Sequence, residues 1–291
     1  MGIVVSSENR AGGQGKTTAV ILLATALAHD YPDKDFLIIN TDPQNDCALQ
    51  LGIDGAVGDR CLSQFVLGER SLSEVIVPAN SVSGLKRKNL YYIPAGPQFA
   101  AEVERMQEDY GVLRDMYDRL SEAARRRQAT PISPSQQFLD ALVPLKKRGP
   151  DVIFIDCPPS LGPLRQMVHW LADYVVVPVV PGAKEVGMTM RHTKDLSEDV
   201  EAGAKAKILA IVPNQFDTRL TLHNEFLAQL RQVYNGLVWG AIPHRTAVGQ
   251  AAANGYSIME TDPGSPVATG YRLLAQKIAR LAGLPAVDEE E

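Results

Sequence analysis

Short apolar runs recur along the chain, and between them apolar residues fall at the three-and-four spacing of helices. The runs at residues 3–5, 36–40, 90–93, 152–155, 174–179, 207–212 and 238–242 are bounded by polar or turn-forming residues, which predicts strands. The run 19–27 can propagate as a helix, and so can 136–146, 164–172, a stretch from 185 to beyond 196, 222–234 and 266–282. Val103, Met106, Leu113, Met116 and Leu120 fall at helical spacing within the charged stretch 100–127, predicting a long surface helix there. Shorter amphipathic pieces lie at 62–67 and 72–77. Strands alternating with helices imply the α/β class: a mostly parallel, twisted β-sheet flanked by helices on both faces. Residues 1–284 are expected to form a single domain, with the proline-punctuated stretch 118–135 as an insertion and 285–291 as an acidic tail.

Polar residues that carry chemistry stand at the ends of these strands. After the first comes Ser6-Ser7-Glu8-Asn9-Arg10-Ala11-Gly12-Gly13-Gln14-Gly15-Lys16-Thr17-Thr18, placed between a strand end and a helix start. Glycines there let backbone N–H groups of Gly12, Gly13, Gln14 and Gly15 turn toward one point, and the helix N-terminus adds partial positive charge. Lys16 supplies a full charge for the outer phosphates of a nucleotide, Thr17 a hydroxyl for Mg²⁺, and Thr18 continues the cradle. The spacing makes this a P-loop NTPase fold, although Arg10 stands where the usual loop has its first glycine. Asp42, in Thr41-Asp42-Pro43-Gln44, follows the second strand, and Asp156 ends the strand 152–155. Ligands in open α/β sheets collect outside the carboxyl ends of strands, so both carboxylates are placed beside the loop. Asp156 then suits a Mg²⁺ held through water.

The core Gly12-Gly13-Gln14-Gly15-Lys16-Thr17-Thr18, preceded by Asn9, resembles the deviant Walker A box of the ParA/MinD family of ATPases. The string from Asp156 to Gly162 and the stem from Gly264 to Ala275 are similar to that family too, and the resemblance spans nearly the whole chain, weakest at 53–150. It implies ATP hydrolysis with Mg²⁺, Lys16 acting on the phosphates and Asp42 orienting the attacking water. Asn214 and Pro243 are implied to lie around the adenine. It further implies a nucleotide-sandwich homodimer that binds DNA without sequence preference and is reset by a ParB-like adaptor. A cargo positioner of the McdA type, with an McdB-like adaptor, is the alternative within the same family. The family places a lysine where this chain has Ala11. Lys184 is the first candidate to replace it across the dimer and Arg10 the second, while Lys184 also reads as a solvated lysine at a helix start. Arg219, Arg245, Arg272, Lys277 and Arg280 are the candidate DNA contacts; the same residues equally read as ordinary solvation of helix faces.

Composition narrows the setting. A formal charge of −5 over 291 residues argues against coating nucleic acid with the whole surface and leaves room for a local basic face. Three cysteines, Cys47, Cys61 and Cys157, are too few and too scattered for a disulfide framework or a zinc site. The chain enters a strand at once, and no apolar run reaches the ~18 residues needed to cross a bilayer. A cytoplasmic, nucleoid-associated protein without membrane contact is expected. A metabolic enzyme that couples ATP to ligation or reduction would call for a second polar cluster, and the sequence marks none.

Overall fold

The computed structural model describes residues 1–53, 60–79, 87–159 and 163–287. Residues 160–162 of the string after Asp156, and the acidic tail from 288 onward, lie outside them. In chain order the elements are β1 (Ile3–Ser7), α1 (Lys16–Asp30), β2 (Phe36–Asn40), α2 (Asp46–Gln50), α3 (Leu62–Val66), α4 (Leu72–Val75), β3 (Val77–Pro78) and β4 (Leu90–Ile93). Then follow α5 (Phe99–Asp118), α6 (Glu122–Arg125), α7 (Pro134–Arg148), β5 (Val152–Asp156), α8 (Pro163–Leu171) and β6 (Tyr174–Val179). The chain continues with α9 (Glu185–Glu201), β7 (Lys207–Pro213), α10 (Thr221–Tyr234), α11 (Thr246–Ala253), α12 (Ile258–Thr261) and α13 (Pro266–Leu281).

The strands form one sheet in the order β3-β4-β2-β5-β1-β6-β7, parallel except for the short edge strand β3. Side chains of a strand alternate between faces, so runs apolar at every position are buried on both. In β2, Phe36 and Ile38 join the core under α1 and α13, whereas Leu37 and Ile39 join the core under α5, α7, α8, α9 and α10. The parallel register sets Ser7, Asn40 and Asp156 level at the carboxyl edge, since Asp156 pairs with both of the others. All three cysteines are free and buried. Among the described residues no helix is long and apolar enough to cross a membrane.

Several elements differ from the sequence expectation. The helix expected over 100–127 stops at Asp118, because Ser121 turns extended and Arg125 folds back to donate to the carbonyls of Tyr117 and Asp118, capping α5. The stretch 72–77 splits into α4 and the two-residue β3, which Pro78 keeps short at a sheet edge. No strand forms over 238–242. That segment runs beside β7 with an isolated bridge from Val238 to Ile211, and Pro243 after it bridges Phe216 beyond β7; Trp239 N donates to Ile211 O (2.8 Å) and Ile242 N to Pro213 O (2.8 Å). The helices α11 and α12 carried no expectation.

Candidate functional site

The loop after β1 is held from below before it meets any ligand. Asn9 Nδ2 donates to Pro178 O (2.8 Å) at the end of β6, and its Oδ1 accepts the Ala11 amide (3.0 Å). Gln14 Oε1 accepts the Val180 amide (2.7 Å), and Asn214 Nδ2 donates to Gln14 O (3.2 Å). The ends of β6 and β7 therefore fix the loop's path. Gly15 has φ 87°, a conformation that favours glycine, and a Cβ there would stand 2.3 Å from Asn214 Nδ2 and push that side chain off Gln14 O. Lys16 Nζ lies 3.1 Å from Ala11 O, curled over the loop. Burial lowers the pKa of its ammonium, while Asp156, Cys157 and Asp42 nearby work in the opposite sense.

Asp156 ends β5 almost fully buried. Burial pushes its carboxyl up to about 7, a hydrogen bond from the Thr17 hydroxyl partly offsetting this while nearby Asp42 adds to it. Its Oδ1 has no hydrogen-bond partner. A buried carboxylate oxygen left unpartnered beside a threonine hydroxyl fits a hard cation that takes oxygen ligands. Among the described residues no group of three or more His, Cys, Asp or Glu side chains could cage a metal. Thr17 and Asp156 would thus hold Mg²⁺ only together with phosphate oxygens and water. Asp42 sits on the turn after β2, where Thr41 bonds the Asp156 carbonyl through both its amide (2.9 Å) and its hydroxyl (2.7 Å).

Two adjoining lobes open above these groups. One, about 560 Å³, is lined by Gly12 to Thr18, by Asp42, Pro43 and Gln44, and by Pro158 and Pro159. The other, about 520 Å³, lies between Asn214, Pro243, Leu22, α11 and Tyr271. Gly15, Thr18 and Gln215 border both. The charged lobe suits phosphates and the more apolar one a nucleobase. The loop residues, Asp42, Asn214 and Pro243 all reach this double cavity, and Asp156 lies beneath it, against Thr17. Gln215, with φ 51°, and Tyr271, whose buried hydroxyl has no partner, were not foreseen. Neither was singled out as a site residue, although Gln215 follows Asn214 and Tyr271 falls within the family-like stem 264–275.

Other sequence candidates lie elsewhere. Lys184 is exposed at the N-cap of α9, outside both lobes. Arg10 is committed to Asp195 on α9. Arg219 folds onto Asp217 (2.7 Å), Arg272 approaches Asp30 (3.5 Å), and Lys277 donates to Leu209 O (3.3 Å) beneath the face of Trp239. Arg245 lines the apolar lobe and Arg280 is exposed. Behind the loop runs a buried chain of alternating charge that sequence spacing does not mark. His169 contacts Glu8 through Nε2 and Asp199 through Nδ1, each at 2.7 Å, and Arg165 links Asp199 (3.2 Å) to Asp195 (3.3 Å).

The family described as "AAA domain" matches residues 2–187, well over half of the chain. The Bacillus subtilis sporulation initiation inhibitor protein Soj is 28% identical over 288 residues, covering 96% of this chain and 99% of Soj. The chromosome-partitioning ATPase Soj of Thermus thermophilus is 26% identical and covers 94% of each. This chain belongs to the ParA/MinD-like ATPase family. Its fold is shared with a Cyanothece McdA variant solved in complex with ATP, at a TM-score of 0.76 and 17% identity over 99% of both chains.

Proposed function

We propose that this protein hydrolyses ATP to ADP and phosphate and uses the nucleotide state as a switch in DNA partition. The observation that carries this reading is the convergence of Lys16, Thr17, Asp42 and Asp156 at one sheet edge, beneath a cavity with a charged and an apolar lobe. Lys16 and the loop amides hold the β- and γ-phosphates, and Asn214 and Pro243 flank the adenine. Thr17 and Asp156 would hold Mg²⁺ together with phosphate oxygens and water, and the ion would supply positive charge to those oxygens. Asp42 orients a water in line with the γ-phosphorus. As the new P–O bond forms, the bond to the bridging oxygen breaks, its electron pair leaves with ADP, and the protons of the attacking water stay with the released phosphate.

The ATP-bound form is proposed to be a homodimer that holds DNA without sequence preference, with a ParB-like adaptor accelerating its reset. Arg245 and Arg280 are the candidates left freest for phosphate contacts, with Arg219, Arg272 and Lys277 contributing if their internal partners yield. Binding of that kind weakens steeply as salt rises, which a titration on random-sequence DNA reads directly.

The nucleotide roles separate by substitution. Lys16→Ala is expected to abolish ATP binding, whereas Asp42→Ala keeps binding and loses turnover by about 100-fold. Calorimetry with phosphate-release kinetics checks both; an Asp42→Ala protein that hydrolyses ATP at the parent rate contradicts the assignment.

A further inference from the structure

The turn that carries Asp42 is clamped by three side chains. Asn40, the fully buried last residue of β2, grips Asp42 on both sides of its backbone: its Oδ1 accepts the Asp42 amide at 2.8 Å and its Nδ2 donates to Asp42 O at 3.0 Å. The same Nδ2 lies 3.2 Å from Asn45 Oδ1 and 3.0 Å from the hydroxyl of Tyr92. Tyr92 stands on β4 in register with Ile38, fully buried, and its hydroxyl donates to Asn45 Oδ1 at 2.6 Å. Asn45 begins α2 in a left-handed conformation (φ 58°), yet its side chain makes no capping hydrogen bond. Asparagine is a favoured cap, so its use on Tyr92 and Asn40 diverts it from that role. Burial pushes the Tyr92 hydroxyl far above its ordinary pKa, which keeps it a neutral donor.

We propose that Tyr92, acting through Asn40 and Asn45, is a positioning residue for ATP turnover that sets where the Asp42 carboxylate stands. The proposal rests on the reading of Asp42 as the group that orients water. Tyr92 is reached from another strand and touches neither lobe, so it ties the turn to the body of the sheet. Thr41 ties the same turn to β5 through the Asp156 carbonyl. Between these two anchors Asp42 has little freedom to drift, and displacements of ~1 Å at a reacting centre can cost up to about 100-fold in rate. A tyrosine that only filled the core would need no such path, because phenylalanine fills the same volume.

Tyr92→Phe removes one oxygen and keeps the ring. It is expected to lower kcat about tenfold while KM and ATP affinity stay within about twofold. Asn45→Gly, which keeps the left-handed backbone at low cost and leaves the core untouched, is expected to give the same split. Each substitution is also placed in the Asp42→Ala background. There it should change residual turnover by less than about twofold, since the group being positioned is gone. Equal losses in both backgrounds, or full activity of both Tyr92→Phe and Asn45→Gly while Asp42→Ala is inactive, overturn the positioning role alone. Parent-like turnover by Asp42→Ala overturns the reading beneath it.

Discussion

Asp156 brings a carboxylate into a place that excludes water, and the consequence differs between the nucleotide-free and the loaded protein. An unfolded aspartate ionises near 3.8, whereas burial holds this one up to about 7. Between those values the unfolded chain binds fewer protons than the folded one, so this group makes stability fall as pH rises across that window. Asp156→Asn removes the penalty together with the metal ligand. Relative to the parent, the variant should gain about 4 kcal/mol between pH 4 and pH 8 in urea unfolding without nucleotide or Mg²⁺. It should also lose Mg²⁺-dependent turnover; a relative stability that declines with rising pH would show that Asp156 is ionised more readily than its burial implies. At this scale the site was unevenly legible. Lys16, Thr17, Asp42 and Asp156 stand beside glycine spacing or strand ends, where the chain order alone places them together. Gln215 and Tyr271 reach the cavity only through a left-handed turn and a helix packed against α1, and neither leaves a trace in local spacing.

Helices α8 and α9 are bound to the base of the loop by buried charge rather than by apolar contact alone. Burial by itself would raise the Glu8 carboxyl, but His169 and His192 outweigh it and Glu8 ends below its usual value of 4.5. Burial would likewise lower His169, but Glu8 and Asp199 leave it raised above 6.5. The His169 contribution is therefore complete below 6.5 and lost as pH rises through its folded value. That of Glu8 is complete above 4.5 and lost as pH falls through its own. The two overlap from 4.5 to 6.5. His169→Gln should cost about 3 kcal/mol there and less at pH 9, because it takes the cation from between two buried carboxylates and leaves Asp199 to Arg165 while Glu8 loses its 2.7 Å partner. A loss in chemical denaturation that is the same at pH 5.5 and pH 9 would contradict a protonated His169. The parallel strands were legible because full burial writes an unbroken apolar run. The end of α5 was not, since the arginine that caps it lies on the next helix. Nor was the failed strand at 238–242, whose apolar residues pack against β7 without building a ladder.

At the scale of the whole molecule, the groups proposed to act on ATP all face one edge of the sheet, and among the described residues the cavity there stays open. A second copy meeting it would bring two nucleotides, each with several negative charges, into a shrinking and poorly hydrated gap, where repulsion grows as water leaves. A cation reaching across from the partner, beyond each copy's own Lys16 and Mg²⁺, would offset that repulsion. Ala11 offers no charge, and Arg10, adjacent to it, is spent on Asp195. Lys184 remains of the candidates: it is exposed and ends the segment after β6 whose Val180 amide is bound by Gln14 of the loop, and it lines neither lobe. A lysine at a helix N-cap sits against the local field of that helix, which a partner's phosphates would reverse. Lys184→Ala should therefore keep monomer affinity for ATP within about twofold, yet weaken ATP-dependent dimerisation by tenfold or more, about 1.4 kcal/mol. Sedimentation of the Asp42→Ala and Asp42→Ala/Lys184→Ala proteins with ATP reads this without interference from turnover. ATP-dependent retention on random-sequence DNA should fall in parallel, while Arg10→Ala should dimerise like the parent. Dimerisation that survives Lys184→Ala and fails in Arg10→Ala would transfer the role to Arg10, and its survival in both would remove the need for a cation from this edge.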